Sequence, residues 1–272
     1  MPEGDTILRT ARTLARVLEG QKIEKFRSPL GNLADAGLPG RTVVRVEPRG
    51  KHLLFHLDDG RALHSHMRMT GSWHVYRPGE TWWKAERLAR AVLETDAFVV
   101  VCFSAPVVEL LSASQLARHA SLVRLGPDIL SPGFDAGEAL ARLRSLGETP
   151  IGEALLAQSA VAGIGNIYKS ESLFAARVSP FLPMSRIADA DVERVVSTAR
   201  NMMRASVEGA ARRGRSPLGA GGPPYRVYER SGRPCLVCGT RIRMRRQGDT
   251  GRSTYWCPAC QRDSGNPSSV PP

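Results

Sequence analysis

The chain has 272 residues, 42% of them hydrophobic and 24% charged, which is enough for two domains with real cores. No run approaches the length of a membrane span, and the start lacks the basic-then-apolar pattern of a signal peptide, so a bacterial cytoplasmic protein is expected. The formal charge of +12 is concentrated: residues 200–262 hold fourteen arginines, no lysine and three acids, a net of +11, which points to a polyanion such as nucleic acid rather than to a merely solvated surface.

The chain opens Met-Pro-Glu. Removal of Met1 would expose the secondary amine of Pro2 with the carboxylate of Glu3 one residue away. Residues 7–20 place Ile7, Leu14, Val17 and Leu18 at helical spacing, with Thr6 as a cap and Gly20 as a stop. From Lys22 to Ser112 the texture becomes short β-rich runs: TVVRVEP, KHLLFHL, ALHSHM, GSWHVY, RAVLET and FVVVCF. Strands so short and so frequent predict an antiparallel sandwich or barrel, not alternating β-α units. Cys102, alone in an apolar strand, is expected as a small buried hydrophobe.

The stretch RLGPDILSPGF, residues 124–134, changes the period. Beyond it AGEALARLRSL, TPIGEALLAQSAVAG, IYKSESLFAARV and ADVERVVSTARNMMRASVEGAA predict helices. The domains follow: residues 1–125, a linker at 126–135, a helical domain at 136–224 ending in the Gly/Pro-rich loop 212–224, short strands at 225–262, and a disordered tail at 263–272.

Four cysteines stand as Cys235-x2-Cys238 and Cys257-x2-Cys260, with eighteen residues between the pairs. Two such knuckles supply four thiolates to one structural Zn²⁺, a closed site that holds a β-hairpin rather than doing chemistry. Arg241, Arg243, Arg245, Arg246 and Arg252 lie between the pairs, which suits a grip on phosphates.

Other groups leave two readings each. VAGIGNIYKSESLF, residues 161–174, sets a Gly-x-Gly-Asn turn before Asn166 and Lys169. It is either a phosphate-binding hinge or an ordinary helix corner. Lys51, after Gly50 at the mouth of a strand, is a phosphate contact and proton donor or a solvated strand-end lysine. His64 and His66 share a strand face with no third metal ligand nearby, which favours core or hydrogen-bonded histidines. Met69, before Thr70-Gly71, is a core methionine or a wedge between bases.

Taken in order, Pro2-Glu3, RGKHLL, SHMRMTG, LGPDIL, AGIGNIYKSE and GRSTYWCPACQ resemble the formamidopyrimidine-DNA glycosylase / endonuclease VIII (Fpg/Nei) family over residues 2–262. The resemblance implies an α+β multi-domain fold: an N-terminal antiparallel β-sandwich with flanking helices, then a C-terminal helix–two-turns–helix bundle with a four-cysteine zinc β-hairpin. It also implies a monomeric glycosylase and abasic-site lyase of base excision repair, acting on damaged double-stranded DNA by β,δ-elimination. In that family Pro2 is the nucleophile and Glu3 a proton donor and acceptor at the sugar. Lys51 is a phosphate contact and proton donor, and Arg252 a phosphate contact that also serves δ-elimination. Arg68, Met69, Arg124, Asn166 and Lys169 would contact DNA.

The chain departs from the family at Thr6, where a glutamate is frequent. The stretch CFSAPVVELLS, 102–112, lacks the Arg-Arg-Phe-Gly-type element that reads an orphaned cytosine, and the loop 212–224 is short for one that caps 8-oxoguanine. Both favour the endonuclease VIII branch and oxidised pyrimidines. The alternatives are a formamidopyrimidine-type enzyme and a non-catalytic zinc-ribbon protein that binds damaged DNA.

Overall fold

The computed structural model describes residues 2–33, 35–210 and 225–262. The predicted loop at 212–224 and tail at 263–272 lie outside the described residues. The chain divides into two compact units, Met1–Arg124 and Leu125–Pro272.

The first unit starts with helix α1 (Gly4–Leu18), three residues earlier than its periodicity suggests. The Ile7 amide donates to the Glu3 carbonyl at 3.1 Å, so Glu3 rather than Thr6 holds the cap position. Ile7, Ala11, Leu14 and Leu18 form the buried stripe of this helix. Gly20, at φ 76°, then turns the chain away.

Eight strands follow: β1 (Lys25–Arg27), β2 (Val43–Arg49), β3 (His52–Leu57), β4 (Ala62–His66), β5 (Ser72–Tyr76), β6 (Ala89–Glu94), β7 (Val99–Phe103) and β8 (Val107–Leu111). They make two four-stranded sheets ordered β1-β6-β7-β5 and β2-β3-β4-β8, antiparallel at every pairing. One core joins them to α1: Leu53, Phe55 and Leu63 from one sheet, Trp73, Leu93 and Val100 from the other. Trp73 satisfies its indole N–H on Ser65 Oγ at 3.0 Å, so the largest side chain in this core buries no orphaned donor. Cys102 is fully buried there, and desolvation pushes its thiol pKa up, as an inert core residue requires. Helices α2 (Ala113–Arg118) and α3 (Ala120–Val123) close the unit, α2 opening on a Ser112/Gln115 capping box.

The second unit holds α4 (Ala136–Arg144), α5 (Ile151–Ala154), α6 (Asn166–Ala175) and α7 (Asp189–Ala210). Residues 126–135 are not the linker that their Gly and Pro content predicts. The Gly126 amide donates to Gln158, Asp128 bridges Ala162 in parallel, and Ile129 is fully buried in the core of this unit. The helix predicted across 149–163 shrinks to the single turn of α5. The Gln158 side chain takes the carbonyls of Leu156 and Ile164 and the amide of Gly163, holding the following segment as a loop.

Helix α6 is buried on nearly every side, as a central helix must be. Its Glu171 carboxylate accepts the backbone amides of Arg226, Val227 and Tyr228, each at 2.8 Å. Its Phe174 packs with Val227, Cys235, Ile242 and Cys257. The hairpin of β9 (Arg243–Gln247) and β10 (Arg252–Trp256) is therefore seated on α6.

Candidate functional site

In the first unit, Pro2 is half-buried at the head of α1, and Glu3 is 1% exposed. Glu3 holds the N-cap position of α1 through its backbone, and its side chain makes no cap hydrogen bond. Asp5 pairs with Arg9 at 3.5 Å and accepts from the Thr6 hydroxyl at 3.4 Å. Thr6 thus occupies the first turn beside an acid that already carries the negative charge of this corner.

Lys51 stands in the tight β2–β3 turn beside Gly50 at φ 59°. Three imidazoles lie behind it. Burial first, then the neighbouring His66 and His64, brings the His52 pKa down to about 3. Burial first, then Arg68, His64 and Lys51, brings His66 to about 4. At neutral pH His52 and His66 are uncharged, and the cations that act on them are Lys51, Arg49 and Arg68.

Arg68 and Met69 sit at the tip between β4 and β5. Met69 is 62% exposed, which rules out the core reading. The tip is stiff. Arg68 takes φ 46°, the Gly71 amide returns to the Met67 carbonyl at 2.8 Å, and Thr70 donates to the Ser104 carbonyl at 2.9 Å. A Cβ on Gly71 would meet the Met67 carbonyl oxygen at 2.6 Å and Ala105 Cα at 2.9 Å, so only glycine fits. Arg124 is exposed at the end of α3.

In the second unit, Asn166 opens α6 directly after Gly165, and Gly163 takes φ 105°. Lys169 requires a correction. It is fully buried, and its Nζ donates to Asn166 Oδ1 at 2.7 Å, Thr254 Oγ1 at 2.8 Å and the Ser253 carbonyl at 3.1 Å. An ammonium enclosed in this way fixes its neighbours and does not reach a phosphate. Because Lys169 can only donate, it sets the amide orientation of Asn166, with Oδ1 inward and Nδ2 on the other edge. Thr254, which completes this brace, and Gln158, which holds the loop before Asn166, carried no signal in the sequence.

Arg252 begins β10, exposed like Arg241, Arg243, Arg245 and Arg246 around it. Arg245 lies over the Phe181 ring at 3.7 Å, and Phe181 packs edge-on against Trp256 at 4.7 Å. The Gln247 and Gln261 side chains tie the hairpin to the carbonyls of Pro180 and Val178.

The four cysteines converge, with all their Sγ atoms within 4.8 Å of one another. Three of the separations are 3.4, 3.5 and 3.9 Å. A tetrahedron built on Zn–S bonds of about 2.3 Å has edges of about 3.8 Å, so the set fits zinc, and the sulfurs are far outside disulfide length. Cys235, Cys238, Cys257 and Cys260 are positioned to hold this structural ion at the base of the hairpin.

Three family models match in succession: the formamidopyrimidine-DNA glycosylase N-terminal domain over residues 1–106, its H2TH domain over 125–215, and the zinc finger found in FPG and IleRS over 232–262. A probable endonuclease 8 2 of Streptomyces coelicolor is 40% identical, covering 96% of this chain and 94% of its own. The chain belongs to the Fpg/Nei family. Another relative, the DNA-(apurinic or apyrimidinic site) lyase Nei2 of Mycolicibacterium smegmatis, is 35% identical over 97% of this chain and all of its own. Among Fpg/Nei structures, the MutM (Fpg) protein of Thermus thermophilus superposes with a TM-score of 0.78 at 30% identity, covering 96% of this chain and 98% of its own. The Fpg/Nei fold thus accounts for the antiparallel sheets, the helical unit and the zinc hairpin. Among the described residues no helix is long and apolar enough to cross a membrane.

Proposed function

We propose that this chain is a bifunctional DNA glycosylase and abasic-site lyase of base excision repair, acting on damaged double-stranded DNA in the bacterial cytoplasm. The observation that carries the reading is the head of α1, where half-buried Pro2 directly precedes a buried carboxylate, Glu3. Membership of a family whose members are named endonuclease 8 and abasic-site lyase supports it. In this reading residues 1–125 carry the chemistry, and residues 136–224 and 225–262 grip the DNA.

A base inside a duplex is out of reach, so the nucleotide is flipped and Met69 fills the gap it leaves. With Met1 removed, Pro2 offers a secondary amine. An α-amino group titrates near about 7.7–8.0 and is partly unprotonated at neutral pH, whereas a lysine near about 10.4 is not. The Pro2 nitrogen bonds to C1′ as the bond from C1′ to the base breaks, and Glu3 passes a proton to the opening sugar oxygen. The resulting iminium acidifies C2′. Loss of that proton expels the 3′-phosphate by β-elimination, with Lys51 beside the phosphate as proton donor. Arg252 serves the second, δ-elimination. Arg68, Arg124 and Asn166 contact the DNA. Zinc supplies no step; it shapes the hairpin that presents Arg252.

The finer substrate class is oxidised pyrimidines. Residues 102–112 contain no arginine, and most of them are committed to β7 and β8, which supports this branch. Borohydride trapping on an abasic duplex should yield a covalent adduct that is lost in Pro2→Gly and weakened in Glu3→Gln; strong binding without an adduct would refute the enzyme. Excision of 8-oxoguanine opposite cytosine faster than thymine glycol would refute the pyrimidine assignment alone.

A further inference from the structure

The register of β4 and β8 places His64 directly opposite Glu109. His64 Nδ1 lies 2.8 Å from Glu109 Oε1, and His119 Nε2, from the corner between α2 and α3, lies 3.0 Å from the same oxygen. One potential ligand atom from each residue falls within 4.8 Å of the others. None of the three has a part in the chemistry above.

Three properties go beyond a fortuitous cluster. First, the donor set is two imidazoles and one carboxylate, a zinc-binding set that leaves a fourth position open. That position has access to solvent, because the side chains of Glu109 and His119 are 31% and 22% exposed while His64 is 1%. Second, each imidazole has a partner on its other nitrogen. His64 Nε2 meets His52 Nδ1 at 2.8 Å, and His119 Nδ1 meets Ser121 Oγ at 3.0 Å. Such outer hydrogen bonds are what fixes the tautomer and ring plane of a metal-bound histidine. Third, the Glu109 carboxylate has two imidazoles within 4 Å and, among the described residues, no lysine or arginine. Its charge lacks a cationic partner in a half-buried position, where one is worth most.

We infer that His64, Glu109 and His119 form a second metal site, independent of the four cysteines, that takes a divalent transition ion such as Zn²⁺. A tetrahedron with bonds of about 2.0–2.1 Å has edges of about 3.3 Å, so the two short separations must widen by only a few tenths of an ångström. Glu109 and His119, both partly exposed, have room to make that adjustment. The ion would also reverse the outer hydrogen bond of each imidazole. While His64 donates from Nδ1 to Glu109, its Nε2 accepts from His52. With Nδ1 on a metal, the proton stands on Nε2 and His64 donates to His52 instead. His52 directly follows Lys51, so occupancy of this site would be felt one residue from a position that the proposed chemistry uses.

The test uses the full chain with zinc already in its cysteine site, titrated with Co²⁺ and followed by visible absorption and by metal analysis after gel filtration. The expected result is one additional Co²⁺ per chain, with weak d–d bands and no thiolate-to-metal charge-transfer band. His119→Ala and Glu109→Gln should bind none while keeping their cysteine-bound zinc and their circular dichroism. Ser121→Ala should weaken binding by roughly tenfold or more, as loss of an outer hydrogen bond does. Nitrogen-15 NMR should show His64 and His52 exchanging tautomers on binding. The inference is overturned if the wild-type chain takes up no extra ion, if the only bands are thiolate charge transfer, or if both partly exposed variants bind as well as wild type.

Discussion

Replacing Lys169 by methionine separates two accounts of the same residue. In the structure its ammonium is fully buried and donates to Asn166 Oδ1, Thr254 Oγ1 and the Ser253 carbonyl. Methionine keeps the length and the apolar stem but removes all three donors. Each orphaned acceptor costs about 1–3 kcal/mol, offset by relief of the ammonium's own desolvation, for a net loss of about 3 kcal/mol. For a unit of this size that corresponds to a fall of roughly 6–12 °C in Tm. Thermal unfolding by circular dichroism reads this directly, and DNA binding measured across a salt series supplies the second readout. A residue that braces the hairpin leaves the slope of log K against log salt unchanged among molecules still folded. An ammonium seated on a phosphate would give the reverse, an unchanged Tm and a slope shallower by about 0.9. That outcome would refute the buried brace and restore the contact suggested by the motif.

Gly71→Ala should cost about 1–3 kcal/mol and impair adduct formation, because its Cβ meets backbone that must move together with the Met69 tip; an unchanged melt would show that this backbone yields. Glu47 accepts from His56 at 2.7 Å, and that bond, ahead of Arg45, holds its carboxyl below the ordinary range. A depressed carboxyl stabilises above its unfolded pKa and loses that effect as pH falls through the folded one. The Tm advantage of wild type over Glu47→Gln, worth under about 1 kcal/mol, should therefore be present at pH 7 and vanish under acid; an advantage that grows as pH falls would contradict this. Stripping zinc with a strong chelator should abolish DNA binding while the near-ultraviolet signal of Trp73 survives, because the four cysteines and Trp73 belong to different units; retained binding would show that the hairpin stands without its ion.

The long periodic elements were legible in the sequence. The α1 stripe, the 22 residues of α7 and the six β-rich runs carry their period in the order of side chains. What escaped was set by tertiary partners. The three residues of β1 have a charge at each end, and they are a strand because β6 pairs with them. Helix α2 opens on the Ser112/Gln115 capping box, but its six residues are too few to carry a period. The over-long helix at 149–163 has a good helical pattern, but a glutamine side chain competes for its carbonyls.

The candidate site divides in the same way. Pro2, Glu3, Lys51 and the cysteines were named from local motifs, since neighbours in sequence share their chemistry. The geometry of the cysteines then agrees with zinc. Lys169 looked like a phosphate ligand because the motif gives its neighbours but not its burial. The His64–Glu109–His119 cluster was invisible because strand register brings together residues 45 positions apart.

The Glu171 clasp has a consequence for how such chains diversify. One carboxylate gathers the amides of 226–228 onto α6, so the place where the zinc module begins is fixed by a helix and not by the residues that precede it in the chain. Changes in chain length upstream of residue 226 then leave the attachment of the hairpin to α6 in place. Evolution can therefore alter what precedes the clasp while the seat of the hairpin on α6 is inherited intact.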